Sequence, residues 1–360
     1  MLMTSILRSV AIFRSLSSIK QCLWFSSKAT VKMESDQSKS FTACTSHFIH
    51  VDGIPTKVIK VDGQSTGIGN GGVRGCIERY TSNVIFLIIP GNPGIPDFYE
   101  LFMETIFKAS NCQVPVWAIA HAGHIAPPKV LKITNKERMY EAYSLDYQIE
   151  HKAAFISEHI PADKKLILIG HSIGCHIILG LMKAIPSLPI IKALQLFPTI
   201  ERMWGTPNST LVAPLTIYCR WIAFPVTYLA NYLSDYVKWR FVSWLVRDRK
   251  VPKCNIQAAL NLFNPYVANA AIYLAACEMK EVIDLDVDNV KKHLSKLLFY
   301  YGTSDGWCPL DFYYDAKALF PEGDIRLCKR CIDHAFTLES SELMADLVWN
   351  WMKDDIMAVQ

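Results

Sequence analysis

The sequence has no uninterrupted apolar run long enough to cross a bilayer. Its longest greasy stretch, near residue 211, is broken by Pro214, Arg220 and Pro225, short of the ~18 residues a span needs. It has no disulfide framework either: eleven cysteines, odd in number and scattered, argue against a secreted scaffold and for a reducing compartment. Cys328 and Cys331 form a C-x-x-C, but no second pair or His pair follows at zinc-finger spacing, so two free thiols at a strand end are expected and no metal. No Lys/Arg cluster alternates with aromatics, and a formal charge of +4 is too small for a nucleic-acid binder. No repeat or low-complexity tract occurs. Nor does any acid precede Glu34: residues 1–32 hold Arg8, Arg14, Lys20, Lys28, Lys32 and many serines, the composition of a mitochondrial transit peptide. Met33 offers a competing explanation as an ordinary start. An unstructured extension over 1–40, transit-like or isoform-specific, is expected ahead of one domain over 41–360.

What is present points to an α/β fold. Half of the 360 residues are apolar, enough for a large core. From residue 84 onward short apolar runs alternate with helical periods, the pattern of a mostly parallel sheet with helices on both faces. "VIFLIIP" (84–90), "VPVWAIA" (114–120), "KLILIG" (165–170), "IKALQLF" (191–197), "KLLFYYG" (296–302) and "DIRLC" (324–328) read as buried strands. Ile149, Ala153, Ile156 and Ile160 give one apolar helix stripe, and 311–320 and 338–352 read as later covering helices. "FTACTSHFIHVDG" and "TKVIKVDG" suggest an edge hairpin turning near Gly53. Between 199 and 290 no buried strand is evident. That stretch reads as a helical cap or lid insertion, with aromatics including Trp221, Phe224, Trp239 and Trp244.

Gly170-His171-Ser172-Ile173-Gly174 places a hydroxyl between a strand and a helix, the context of a nucleophile elbow. Glycine is needed at both ends because a side chain there would strike neighbouring backbone. The helix that follows aims its N–H groups at any oxyanion formed on Ser172. An alcohol is a weak nucleophile without a base, so an acid and a histidine are expected after later strands. Asp305 in "FYYGTSDGWCP" and His334 in "CIDHAF" satisfy that order of Ser, Asp, His. His171 and His176 read as packing groups or polar fillers, His121 and His124 as residues of a substrate mouth, and Asp333 as unable to reach the far nitrogen of its neighbour His334. The oxyanion donors are expected to be the N–H of Ile173 and, because Pro93 has none, that of Asn92 in "IPGNPG".

Taken together, "FLIIPGNPGIPDFY", "VWAIAHAGH", "QIEHKAAF", "LILIGHSIGCHI", "LFPTIERM", "VANAAIYLAACEM", "FYYGTSDGWCP" and "FPEGDIRLC" closely resemble the lipid droplet-associated hydrolase family of α/β-hydrolases, over roughly residues 84–355. Many α/β-hydrolases carry His-Gly before the oxyanion donor, where this chain has Pro90-Gly91. The resemblance implies Ser172 as nucleophile with Asp305 and His334 as its relay, and no cofactor. It implies a lipid ester substrate, with sterol ester the expected one. It also implies residence on lipid droplets and the cytosolic face of the endoplasmic reticulum, held monotopically. The aromatic segment, with its basic residues, suits such an interface. A droplet-surface protein that acts mainly by binding is the alternative, and transfer of the acyl group to an alcohol also fits. Epoxide hydrolysis is disfavoured, because a carboxylate would be needed where Ser172 stands.

Overall fold

The computed structural model describes residues 44–63, 82–128, 131, 141–218 and 220–359. The expected extension over 1–40 lies outside them. Eight strands among the described residues form one sheet: β1 (Cys44–Val51), β2 (Ile54–Val61), β3 (Val84–Ile89), β4 (Val116–Ile119), β5 (Lys165–His171), β6 (Ile190–Leu196), β7 (Leu297–Tyr301) and β8 (Asp324–Leu327). Their order is β1-β2-β4-β3-β5-β6-β7-β8. β1 and β2 form the edge hairpin, turning through Asp52 and Gly53, both at positive φ. β2 meets β4 antiparallel, and every later pairing is parallel. All six residues of β3 are buried, which is why it reads as a continuous apolar run and not as alternation.

Helices α1 (Glu100–Ala109), α2 (Leu145–His159) and α3 (Ile173–Ala184) connect β3 through β6. Between β6 and β7 come α4 (Ser209–Tyr218), α5 (Arg220–Asn231), α6 (Asp235–Leu245), α7 (Lys253–Ala259), α8 (Pro265–Glu281) and α9 (Val287–His293). α10 (Leu310–Leu319) joins β7 to β8, and α11 (Ser341–Met357) follows β8. α11 packs on α1, while α3 packs on α2 and α9; right-handed crossovers put these two groups on opposite faces of the sheet.

The expected α2 stripe packs on the core, with Ile156 and Ile160 buried, but it is not the most buried face of the helix. Ile149 and Ala153 are only half-buried, while Gln148, His151 and Lys152 are wholly inside. Lys152 Nζ donates to Ala120 O at 3.1 Å and Gln148 Oε1 at 2.9 Å, and Thr56 Oγ1 lies 2.8 Å from His151 Nε2. A polar face is buried here because the carbonyls at the end of β4 and the neighbouring side chains satisfy it.

Candidate active site

β5 ends at His171 and α3 begins at Ile173, leaving Ser172 alone on the bend with φ 53° and ψ −123°. That left-handed backbone is strained for a residue with a Cβ, and the packing around the bend admits only glycine at positions 170 and 174. A Cβ on Gly170 would lie 2.8 Å from Cys175 N, and one on Gly174 would lie 2.2 Å from Ile89 O. Ser172 N donates to Leu196 O at 3.1 Å, which ties the bend to β6.

The two later groups arrive on the same end of the sheet. Ser172 Oγ stands 3.0 Å from His334 Nε2, and His334 Nδ1 stands 2.7 Å from Asp305 Oδ2. Both distances are hydrogen bonds, so the three residues, 162 positions apart at the extremes, form one continuous line. Asp305 Oδ1 accepts the N–H groups of Trp307 at 2.8 Å and Cys308 at 3.2 Å, and Oδ2 also accepts the Cys308 thiol at 2.9 Å. Burial by itself would raise the Asp305 carboxyl, but the His334 charge and the hydrogen bonds from His334, Cys308 and Trp307 outweigh it and hold it below its usual value. Burial pushes the Cys308 thiol well up, with the Asp305 charge adding to it, so it remains a donor. Asp305 Oδ2, Cys308 Sγ and His334 Nδ1 all lie within 4.8 Å of one another, a donor set suited to a metal. Yet 2.7 and 2.9 Å are closer than the ~3.3 Å separating neighbouring ligands around tetrahedral zinc, so the trio is arranged for hydrogen bonding.

Two further residues tie the site together. His171 Nε2 donates to the backbone carbonyl of His334 at 2.8 Å, which leaves His171 Nδ1 to accept from Tyr99 O–H at 2.7 Å. The Tyr99 oxygen accepts Gly91 N–H at 2.9 Å. Burial, assisted by the charge of His334, pushes His171 down to about 3, so it stays neutral and keeps this tautomer. One line therefore runs from the histidine segment to the loop beside the serine. His171, expected as a packing group or polar filler, is a buried hydrogen-bonded one, and no sequence signal marks Tyr99 as its partner.

That loop, residues 91–94, lies against Ser172: a Cβ on Gly91 would be 2.9 Å from Ser172 Cβ. Gly91 N–H is taken by Tyr99, Gly94 N–H donates to Gly91 O at 2.7 Å, and Pro93 has no N–H. Ile173 begins α3, so its N–H is at the helix start beside the serine. His121 and His124, expected at a substrate mouth, are instead buried beneath the loop. His121 N donates to Gly94 O at 3.0 Å, and a Cβ on Gly94 would lie 2.6 Å from the His121 ring. His121 thus supports the loop from below, because the loop itself closes over the end of β4. His176 is half-buried on α3, and Asp333 faces Arg249 at 3.8 Å.

A cavity of about 200 Å³ opens at Ser172 and His334. Its wall is largely apolar, with Ile95, Phe98, Leu262, Ile272, Ala275 and Met279 among the lining residues, and Asn92, Thr216, Glu278 and Thr337 among the polar ones. α8 supplies much of this wall. On the outer side of the same insertion the aromatics are exposed: Trp221 at 75 %, Trp244 at 54 %, Phe224 at 38 % and Trp239 at 36 %. Among the described residues no single helix is long and apolar enough to cross a membrane. α4 and residues 221–231 together have that length and composition, but they are bent by 84°.

A family model described as lipid-droplet associated hydrolase matches residues 82–337. The chain is 43 % identical over 283 residues to the lipid droplet-associated hydrolase of Homo sapiens, covering 76 % of this chain and 86 % of that protein. It is 39 % identical over 277 residues to that of Gallus gallus, with the same coverage. A solved carboxylesterase from the thaumarchaeon Nitrososphaera gargenis superposes with a TM-score of 0.57 over 87 % of this chain and 100 % of its own, at 13 % identity, a likeness of fold alone. The eight-stranded, mostly parallel sheet with its strand–Ser172–helix bend is an α/β-hydrolase fold, and the chain belongs to the lipid-droplet associated hydrolase family.

Proposed function

We propose that the chain is a serine hydrolase that cleaves a lipid carboxylic ester, a sterol ester in the first instance, at the lipid droplet surface. The observation that carries this reading is the unbroken hydrogen-bonded line from Ser172 through His334 to Asp305, opening on an apolar cavity. Ser172 attacks the acyl carbon as His334 Nε2 takes its proton. Asp305 orients the imidazole and stabilises its charged form, and His334 then returns the proton to the leaving alcohol. The N–H groups of Ile173 and Asn92 hold the oxyanion. For Asn92 the support is elimination, since within residues 91–94 every other N–H is engaged or missing. Water, activated by the same histidine, releases the acid. The apolar wall suits an acyl chain or sterol ring, and the preference for a sterol ester rests on family resemblance.

Trp221, Phe224, Trp239 and Trp244 supply the contact with the phospholipid monolayer of droplets and of the cytosolic face of the endoplasmic reticulum. Their exposure supports this, because a fully buried aromatic removes ~150–250 Å² from water and lipid can take up the part of each that is still exposed. At ~25 cal/mol per Å², a few of them give several kcal/mol, enough for reversible attachment. Helices α4 to α6 then act as lid and anchor at once.

A fluorophosphonate probe tests the chemistry: wild type is expected to label and Ser172→Ala to remain unlabelled. Equal labelling of both would end the hydrolase reading. Turnover of a panel of sterol, glyceride and short synthetic esters, with Ser172→Ala as blank, identifies the alcohol. The exposed aromatic face, separate from the cavity, also favours a second reading in which droplet binding is the main role. Under that reading Ser172→Ala would leave cellular lipid stores unchanged, while deleting 207–250 would abolish targeting.

A further inference from the structure

Asn92 does more than border the serine. Its side-chain nitrogen carries two hydrogens, and both are accepted by α8: one by Ala271 O at 2.9 Å and one by the Glu278 carboxyl at 3.0 Å. Residues 271 and 278 are seven apart, two turns of helix, and so share one stripe of α8. The loop of residues 91–94 is thereby anchored from three sides: Tyr99 holds Gly91, His121 holds Gly94, and α8 holds Asn92. Only the last anchor comes from the insertion between β6 and β7. Glu278 is 5 % exposed and sits in the wall of the cavity that opens on Ser172. A carboxyl in a largely apolar wall is unfavourable unless it is hydrogen-bonded. An apolar residue would line the cavity equally well and could not hold Asn92.

We propose that Glu278 is a positioning residue for the oxyanion site: through the Asn92 carboxamide it fixes the peptide whose N–H receives the charge on the acyl oxygen, so the seating of α8 sets the rate of attack by Ser172. The inference rests on the reading of Ser172 and Asn92 given above. Loss of one oxyanion donor costs ~10²–10³ in rate, and a donor that is misplaced and not removed loses part of that.

A double-mutant cycle tests it, with fluorophosphonate labelling of Ser172 as the readout, resolved into a maximal rate and a half-saturating probe concentration. Glu278→Ala and Asn92→Ala, which keeps the backbone N–H, are each expected to slow the maximal rate ~10-fold or more while the half-saturating concentration moves less than about threefold. The double variant is expected to be no slower than either single one, because both remove the same link. Glu278→Gln keeps an acceptor of the same shape and is expected to restore the rate to within about threefold, which separates positioning from failure to fold. Multiplicative losses in the double variant, a change confined to half-saturation, or no rescue by glutamine would each overturn the proposal. If Ser172→Ala labels like wild type, the underlying reading of the serine fails. If it does not label and Glu278→Ala labels at full rate, only the role of Glu278 fails.

Discussion

Glu278 can be tested by titration independently of any rate. Burial pushes its carboxyl from an ordinary 4.5 up to about 7, against the smaller opposing effect of the Asn92 hydrogen bond. Below pH 4.5 the group is neutral whether the chain is folded or not, and it adds no penalty. Above pH 7 it is ionised in both states, and the folded chain then carries the full cost of a buried charge. Raising the pH through that window therefore removes stability, and the climb from 4.5 to about 7 amounts to ~3 kcal/mol at ~1.36 kcal/mol per pH unit. Between pH 5.5 and 8.0 the loss works out at ~2 kcal/mol, because at 5.5 the unfolded carboxyl is already ionised. Other groups titrate over the same range, so the measurement is a difference of differences: urea unfolding of wild type and Glu278→Gln at both pH values. Wild type is expected to lose ~2 kcal/mol more than the variant on going to pH 8.0. Parallel behaviour within ~0.5 kcal/mol would mean that the carboxyl ionises as it does in water. The burial of Glu278 in the wall beside Ser172 would then be wrong.

Gly174→Ala places a Cβ 2.2 Å from the backbone oxygen of Ile89, the last residue of β3. No rotamer relieves that clash, so a loss of ~2 kcal/mol or more in urea unfolding and loss of fluorophosphonate labelling are expected. Cys308→Ala removes a hydrogen bond from the Asp305 oxygen that also faces His334. That oxygen then holds the imidazolium more strongly, and the acid limb of the labelling rate is expected to move to higher pH, whereas Cys308→Ser keeps a donor and leaves it near its original place. Burial pushes Lys152 well below its ordinary range, so an unfolded chain takes up a proton there that the folded chain does not. The contribution of Lys152 to stability should therefore grow as the pH rises toward the ordinary 10.5, so wild type should gain stability relative to Lys152→Met in urea unfolding as the pH is raised; equal slopes would mean that this lysine is charged when folded.

The parts of the molecule legible in the sequence share a property: each is specified by residues close to one another in the chain. β3 and β5 read as strands because a parallel strand covered on both faces needs an unbroken apolar run. The Ser172 bend reads because the glycines that permit it must sit two positions either side. Asp305 and His334 are separate from it in sequence, yet each directly follows a strand, and strand order then brings them to the same sheet end. The contacts that escaped the sequence are pairwise and distant. Asn92 and Glu278 are 186 positions apart, and His171 and Tyr99 are 72 apart. Each is an ordinary polar residue whose partner depends on how a loop and a helix are laid over the sheet. The apolar stripe expected on α2 packs against the core, but the polar residues buried beside it were not legible for the same reason, since Lys152 finds its accepting carbonyl just past the end of β4. The positions of Ser172, Asp305 and His334 are thus written locally, while the framework around them is written in long-range hydrogen bonds. On the proposed function, transferring Ser172, Asp305 and His334 alone to another α/β-hydrolase sheet would carry over the serine without the placement of Asn92, and a slow enzyme is the expected product.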